Sequence, residues 1–196
     1  KNNMDQDILD MLNTKYLIVR DPNTGKPIAK RRTTNLGNAW FVDNYKLAQN
    51  ADEEIQIVGD IDPSKTAVID KRYESFVQDH FQNDTSSFIK LISYAPNKLV
   101  YDYSTNANQI GVFSEKYYPK GWNAYINGEK VPHFRLDYVL RGLVIPKGNG
   151  SIVFEFKPKA YFVGSKISLA GSIIMMLLLG FLIVKESGLI KVRKEE

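Results

Sequence analysis

The strongest constraint on this chain is an uncharged run of eighteen residues, ISLAGSIIMMLLLGFLIV, at residues 167–184. Lys166 and Lys185 close the run on either side. As a helix that rises about 1.5 Å per residue, the run is about 27 Å long, which matches the hydrocarbon thickness of a bilayer. The alternative is a core helix of a soluble protein, but such helices seldom combine an all-round apolar surface with a lysine at each end. The sequence therefore predicts a transmembrane helix over residues 164–185 and a bilayer as partner.

The position of this run distinguishes an anchor from a cleaved signal. Secretory signal peptides have a similar composition, but they stand at the N-terminus, whereas only a short polar tail, residues 186–196, follows the run. The chain itself begins KNNMDQ, with lysine where an initiator methionine would stand. We interpret it as a piece of a longer protein.

The basic charge of the chain is concentrated next to the predicted membrane helix. Residues 1–156 contain nineteen Lys and Arg against nineteen Asp and Glu, and the net charge of +4 comes from residues 157–196, with seven basic and three acidic residues. Lysine and arginine at these positions are typical of membrane flanks near headgroups. The charge distribution therefore argues against nucleic acid as a partner.

Few residues suit metal binding or covalent catalysis. The chain has no cysteine and only two histidines, His80 and His133, so no metal site and no cofactor is predicted. Phosphate-binding glycine loops, nucleophile elbows and calcium loops are absent from the sequence. Two acidic groups, Asp60 with Asp62 and residues 52–54, are typical of a turn and of a helix N-terminus, and we assign no catalytic residue.

Residues 1–72 form a predicted small α+β module. A helix-spaced apolar pattern around Ile8 leads into a strand-like run from Tyr16 to Val19, and further strands at 38–42 and 65–69 flank a short helix from Ala51. Residues 21–32, DPNTGKPIAKRR, predict an exposed loop because turn formers and charges dominate them. The basic residues 30–32 suit either plain solvation or contact with anionic headgroups or a phosphate.

Residues 88–158 form a predicted antiparallel β-sandwich, so the fold class is α+β with one membrane helix. Period-two alternation recurs in seven runs separated by turn signals. Asn127 with Gly128 predicts a two-residue hairpin turn, and residues 146–150, PKGNG, predict a turn between the last two strands. We take residues 71–87 as the connection between the two modules. The seven runs are FIKLISY, KLVYDYS, QIGVFSE, WNAYI, EKVPHF, YVLRGLVI and SIVFEFK.

An aromatic cluster in the segment YYPKGWNAYINGE, residues 117–129, is the candidate substrate-binding site. It contains Tyr117, Tyr118, Trp122 and Tyr125 around a proline and a glycine. Rings at the loop edges of a β-sandwich can stack against the apolar face of a sugar. The alternative is that the same rings fill the core of the sandwich or close one of its ends.

Small residues line one side of the predicted membrane helix. Gly164, Ser168, Gly171 and Ser172 fall within about 100° of one another at 100° per helical residue. Membrane helices pack closely where small side chains allow their backbones to approach, so this face is a candidate contact with other spans. The alternative is that glycine and serine are simply frequent in membrane helices.

Ordered segments along the chain also resemble the C-terminal end of YfhO-like bacterial membrane proteins. The match covers most of the chain in the order found in the family, although no single motif is diagnostic. The segments are LNTKYLI at 12–18, GNAWFV at 37–42, DPSKTAVID at 62–70, SYAPNKLVY at 93–101, YYPKGWNAYINGE at 117–129 and LRGLVIPKGNGSIVFEFKPKAYFVGSKIS at 140–168.

The resemblance implies an accessory role in glycosyl transfer. Members of this family are large polytopic proteins similar to glycosyltransferases that use polyprenyl-phosphate sugars, with an extracytoplasmic region before a last transmembrane helix. It implies that residues 1 to about 160 are extracytoplasmic at a bacterial cytoplasmic membrane, that the tail from Lys185 is cytoplasmic, and that catalytic residues lie upstream of Lys1. Glycans or lipid-linked sugars and the other spans of the parent protein are the implied partners. A non-catalytic sugar or cell-wall binding module, or a purely structural ectodomain, is the alternative.

Overall fold

A computed structural model describes residues 2–77, 84 and 86–186, with side chains from Gln6 onward. The chain divides into two compact units, Lys1–Phe156 and Lys157–Glu196. The predicted tail lies outside the described residues from position 187 onward. Each unit is described by itself.

The first unit is built mostly from short strands with two α-helices near its N-terminus. A 3₁₀ helix at Lys71–Phe76 follows the fifth strand. In chain order the elements are α1 (Asn2–Met11), β1 (Tyr16–Arg20), β2 (Pro27–Arg31), β3 (Ala39–Val42), β4 (Asn44–Ala48), α2 (Ala51–Val58), β5 (Thr66–Asp70), β6 (Phe88–Ala95), β7 (Lys98–Thr105), β8 (Gln109–Lys116), β9 (Trp122–Ile126), β10 (Glu129–Val131), β11 (Phe134–Leu136), β12 (Leu140–Ile145) and β13 (Gly148–Phe156).

Two sheets carry the first unit, and the predicted α+β class with a β-sandwich is confirmed. Five antiparallel strands follow the order β10-β9-β13-β7-β6, and six strands follow the order β3-β8-β12-β11-β5-β4. The only parallel pair among the described strands is β4 with β5, which α2 connects. A separate two-stranded hairpin consists of β1 and β2.

The two sheets pack face to face, and helices cover the outer face of the six-stranded sheet. Leu99, Tyr101 and Phe154 from one sheet and Phe113 and Leu143 from the other belong to the same buried cluster. Gly111 allows close packing here, because a Cβ at this position would lie 2.5 Å from a methyl group of Ile145. On the opposite face, residues of α1 and α2 join a second apolar cluster. The first unit is therefore a three-layer structure.

The two segments predicted as separate modules, 1–72 and 88–158, contribute strands to the same sheet. Trp40 of β3 pairs with Val112 of β8, and Ile69 of β5 pairs with Leu136 of β11. A β-strand needs hydrogen-bonding partners for its backbone, and the short parallel pair β4-β5 leaves one edge of β5 open to β11. Residues up to Phe156 consequently form one compact unit.

The segment at residues 21–32 differs from the predicted loop. Although its side chains are exposed as expected, β2 pairs with β1 in antiparallel register, with Ile18 opposite Ala29. Most of the turn formers lie in residues 21–26, where Gly25 has a φ of 65°, and Pro27 begins β2. The two flanking runs are long enough to form a hairpin.

The predicted strand pattern over residues 88–156 holds with two differences. Asn127 and Gly128 both have positive φ angles, 51° and 87°, and connect β9 to β10 in the predicted hairpin. The run EKVPHF is not one strand: β10 ends at Val131 and β11 begins at Phe134, because Pro132 interrupts the run and lacks the N–H that a central strand needs. Residues 146–147 carry the chain from the six-stranded sheet to the five-stranded one, so β12 and β13 do not pair with each other.

The second unit contains helix α3, Lys159–Glu186. It has 28 residues and a mean hydropathy of 2.6 over its most apolar 18-residue window, so its length and composition suit a membrane span. It encloses the predicted span, residues 164–185, and no side chain of the helix is buried. Such a surface is stable only in an apolar environment or against other helices.

Candidate functional site

The four predicted sugar-stacking rings do not share one surface: Trp122 and Tyr125 lie on strand β9, and Tyr117 and Tyr118 lie between β8 and β9. Trp122, Ala124 and Ile126 share the inner face of β9, and Tyr125 stands on the outer face because side chains alternate along a strand. Tyr117 packs edge-on against the rings of Tyr73 and His133, whereas Tyr118 is 47% exposed. Tyr118 and the accessible part of Trp122 are thus the rings of this group best placed for a ligand.

Trp122 is partly covered by a buried arginine. The Arg141 guanidinium lies 4.6 Å from the centre of the Trp122 ring and 4.5 Å from that of Phe154. A bulge between Leu140 and Arg141 in the β12-β8 pairing accompanies this placement. Cation–π contacts of this kind gain strength when the cation is removed from water. The indole therefore has a packing role in addition to any ligand contact.

Several polar atoms around Arg141 are buried without a hydrogen-bond partner among the described residues. They are Nε and Nη1 of Arg141, the Tyr101 hydroxyl and Nδ1 of His133. Burial lowers the pKa of Arg141 to about 10 and also lowers the pKa of His133, whose Nε2 lies 3.1 Å from the Trp122 carbonyl oxygen. A neutral imidazole that donates through Nε2 fits this contact. The group forms a polar centre inside an aromatic core.

A second charged cluster connects α2, β5 and β11. Arg135 Nη2 donates to Glu54 Oε2 at 2.6 Å and to Asp70 Oδ2 at 3.1 Å, and Glu54 Oε1 accepts the Tyr138 N–H at 2.9 Å. Burial raises the pKa of Glu54, whereas the hydrogen bond from the Arg72 side chain leads the effects that lower the pKa of Asp70. Both carboxylates accept hydrogen bonds from arginine side chains or from a backbone N–H. We therefore assign this cluster a structural role.

The other acidic residues singled out from sequence lie in turns and at a helix N-terminus. Asp62 accepts hydrogen bonds from the backbone and the hydroxyl of Ser64. Asn50 caps α2, whose first turn contains Asp52, Glu53 and Glu54. In the described part of the chain, no group of three or more His, Asp or Glu side chains could hold a metal ion. His80 lies outside the described residues.

An open groove lies where the edge strands of the two sheets approach each other. It has a volume of about 500 Å³, within the range of small-ligand sites. Phe41 and Phe88 supply apolar surface, and Asp43, Asp84 and Gln109 supply polar groups. The remaining lining residues are Ala39, Trp40, Ser87 and Ile89.

The two carboxylates of the groove differ in their surroundings. Asp84 accepts hydrogen bonds from the Ser86 and Ser87 hydroxyls and from the Asn106 N–H, and these bonds hold its pKa far below the usual range. The Asp43 carboxylate has no hydrogen bond or ion pair to any residue that the structure describes. Asp84 thus fixes the start of β6, and Asp43 remains available to accept hydrogen bonds from a ligand.

The groove was not predicted from the sequence. Its residues come from β3, from the start of β6 and from the start of β8, and they become neighbours only when the two sheets pack. A short aromatic and acidic run, AWFVD at 39–43, is the one local signal that could have drawn attention to it.

The predicted packing face of α3 is present as an exposed strip of small residues. Gly164, Ser168 and Ser172 line the same shallow surface, and the Ser172 hydroxyl donates to the Ser168 carbonyl oxygen at 2.9 Å. A Cβ added at Gly164 or Gly171 would meet no atom within 4 Å. Whether another span packs here stays a prediction.

One family model matches the chain over residues 10–168, more than half of its length, and its description is bacterial membrane protein YfhO. The comparison with curated proteins and the comparison with solved structures gave no match.

Proposed function

The chain belongs to the YfhO family of bacterial membrane proteins, and from this premise we propose that its first unit is an extracytoplasmic accessory domain for glycosyl transfer. In this role it contacts the sugar part of a lipid-linked donor or of a cell-surface acceptor. The chemistry is carried by residues outside this chain, in other parts of a polytopic parent protein at the bacterial cytoplasmic membrane.

The single observation that carries the sugar-contact proposal is the groove between the sheet edges. Phe41 and Phe88 offer apolar surface to the C–H face of a pyranose, and the Asp43 carboxylate offers acceptors to its hydroxyl groups. Its volume of about 500 Å³ accommodates one or two sugar rings. We expect a dissociation constant of about 1 mM at such an open site, which is a binding free energy of about −4 kcal/mol.

The two tryptophans of the chain allow the site to be located by fluorescence. Trp40 lines the groove, whereas Trp122 lies on β9 against the Arg141 side chain. In the full chain, reconstituted in nanodiscs, Trp122→Phe leaves Trp40 as the only reporter, and Trp40→Phe leaves Trp122. The probes are methyl glucoside, N-acetylglucosamine and maltose.

We expect a saturable change in the Trp40 signal that Asp43→Asn or Phe88→Ala abolishes and that Tyr118→Ala leaves unchanged. A change reported by Trp122 and abolished by Tyr118→Ala would transfer the site to the predicted aromatic residues. The absence of saturable change from both tryptophans would refute sugar binding and favour the structural ectodomain.

The orientation is proposed from the family resemblance, because the charges on the two sides of α3 differ little. Lys185, Lys191, Arg193 and Lys194 on one side outnumber the three lysines on the other by one. Fusion of a reporter after Glu196 tests it. Alkaline phosphatase fused there should be inactive and a cytoplasmic reporter active; the opposite result would reverse the orientation.

A further inference from the structure

The hairpin of β1 and β2 exposes apolar side chains that pack against no core. Ile18 is 80% exposed and Tyr16 59% exposed, and both stand on one face of the hairpin. Ile28 on the other face is also exposed. Isolated two-stranded hairpins are only marginally stable in water, and exposed apolar groups add no stability there. The hairpin therefore has the character of a surface that is completed by a partner.

The base of this hairpin is firmly attached to α1. The Arg32 guanidinium pairs with Asp10 and with the side-chain oxygen of Gln6, and the Arg32 backbone N–H donates to the Lys15 carbonyl oxygen at 2.8 Å. Thr34 adds a hydrogen bond to Asp10 at 2.7 Å. The basic residues 30–32, which the sequence analysis treated as a group, therefore differ in role. Arg32 anchors the hairpin, whereas Lys30 and Arg31 are exposed.

The charge of the hairpin is strongly positive. Five exposed basic residues make no ion pair with any described residue: Lys15, Arg20, Lys26, Lys30 and Arg31. The one acidic residue between them, Asp21, accepts hydrogen bonds from the Asn23 N–H and the Thr24 hydroxyl and so shapes the turn. Residues 1–156 as a whole have equal numbers of basic and acidic side chains, so the excess of positive charge on the hairpin is local.

We infer that hairpin β1-β2 docks on the anionic headgroup surface of a bilayer. Tyr16 and Ile18 enter the headgroup region, and Arg20 and Arg31, which share their face of the hairpin, lie among lipid phosphates. Apolar and aromatic side chains bordered by Lys and Arg are typical of surfaces that bind at such an interface. The partner is a bilayer because the charge of the hairpin complements anionic lipids and the chain belongs to a membrane protein family with an apolar helix of its own. This inference is independent of sugar binding.

Site-directed labelling tests the docking directly, because the chain has no cysteine. Ile18→Cys carries an environment-sensitive fluorophore in the full chain, reconstituted in nanodiscs of phosphatidylcholine alone or with about one third phosphatidylglycerol. Ile92→Cys is the matched control, since Ile92 is 53% exposed on edge strand β6. Lipids with a nitroxide near the headgroup report contact by quenching.

We expect quenching at Ile18 in the phosphatidylglycerol discs, weaker quenching in phosphatidylcholine, and none at Ile92. Equal quenching at both positions would overturn the inference, because it would reflect unspecific collapse on lipid. A shielded but unquenched probe at Ile18 would also overturn it and indicate a protein partner or self-association.

A charge variant provides the second arm. Arg20→Gln with Arg31→Gln, which removes the two charges on the docking face, should lower the ratio of docked to undocked hairpin about 30-fold, or about 2 kcal/mol, at about fivefold per basic residue near an anionic surface. The control, Lys90→Gln with Lys98→Gln, removes the same charge from exposed sites on β6 and β7 and should leave the ratio unchanged. Thermal unfolding checks that both variants remain folded. An unchanged ratio in the hairpin variant would refute the role of these charges.

Discussion

Substitution of Asp137 by asparagine tests whether a buried carboxyl group makes this domain less stable as the pH rises. Asp137 lies between β11 and β12 and is completely buried, and its Oδ1 accepts the Val68 N–H at 2.7 Å. Its other oxygen has no hydrogen-bond partner among the described residues. Burial raises the pKa of Asp137 to about 7. Asparagine preserves the acceptor and also tolerates the φ of 47° at this position.

The size of the effect follows from the difference between the folded and unfolded pKa values. The folded pKa of about 7 exceeds the reference value of 3.8, so the folded state binds more protons between these values and loses stability as the pH rises. The complete loss above pH 7 is about 4 kcal/mol, at about 1.4 kcal/mol per pKa unit. About 3 kcal/mol of it falls between about pH 4.5 and 8.5.

Denaturant unfolding of the full chain in detergent, followed at about pH 4.5 and 8.5, measures this loss. The variant leaves an amide N–H without a partner, which costs about 1–3 kcal/mol at every pH. Its free energy of unfolding relative to the parent chain should nevertheless improve by about 3 kcal/mol between the two pH values. Titrating groups that do not interact with Asp137 are present in both proteins and cancel, whereas the Glu54 charge, which adds to the rise in the pKa of Asp137, is part of the measured effect. Parallel pH profiles would show that Asp137 is ionised throughout and refute the reasoning.

Three further substitutions, two of them with a control variant, test other parts of the structure. Arg135→Ala should destabilise the fold by about 3–5 kcal/mol, because it leaves two buried carboxylates without their shared partner; Arg72→Ala, at a side chain that is 60% exposed, should cost less than about 1 kcal/mol in the same denaturant assay. Gly142→Ala should cost about 1–3 kcal/mol, since its Cβ would lie 2.5 Å from a leucine methyl group; an unchanged melting temperature would contradict the tight packing. In the parent protein in detergent, Gly171→Leu should lower thermal stability more than Leu178→Ile if the small face of α3 packs against another span, and equal tolerance would leave the helix as an anchor only.

Local patterns in the sequence were sufficient to predict most of the elements. The uncharged run at residues 167–184 lies inside α3, and the Asn127-Gly128 pair forms the predicted turn. Each of these signals depends on neighbouring residues, as does the alternation that places Ile152 and Phe154 in the core. Elements specified by their own residues can therefore be predicted from sequence.

The arrangement of these elements depends on distant residues and was not predicted. The pairing of Trp40 with Val112 unites segments that the sequence alone placed in different modules. The environment of Glu54 also depends on residues that are distant in the sequence. The sequence assigned Glu54 only to a helix N-terminus, whereas its burial accompanies an ion pair with Arg135 on strand β11. The groove likewise arises only when β3 and β6 come together, because neither strand alone brings Phe41 and Phe88 to one surface.

The shared six-stranded sheet has a consequence for the order of folding. Strands β3 and β5 obtain their antiparallel partners only when β8 and β11 are available, much later in the chain. Such long-range pairing folds slowly, because a large loop must close before any ladder hydrogen bond compensates for the lost chain entropy. Until then the first seventy residues present unpaired strand edges, which are prone to aggregate. A truncation between β5 and β6 should therefore give an insoluble product, and a chaperone that shields nascent strands should increase the yield of the whole chain.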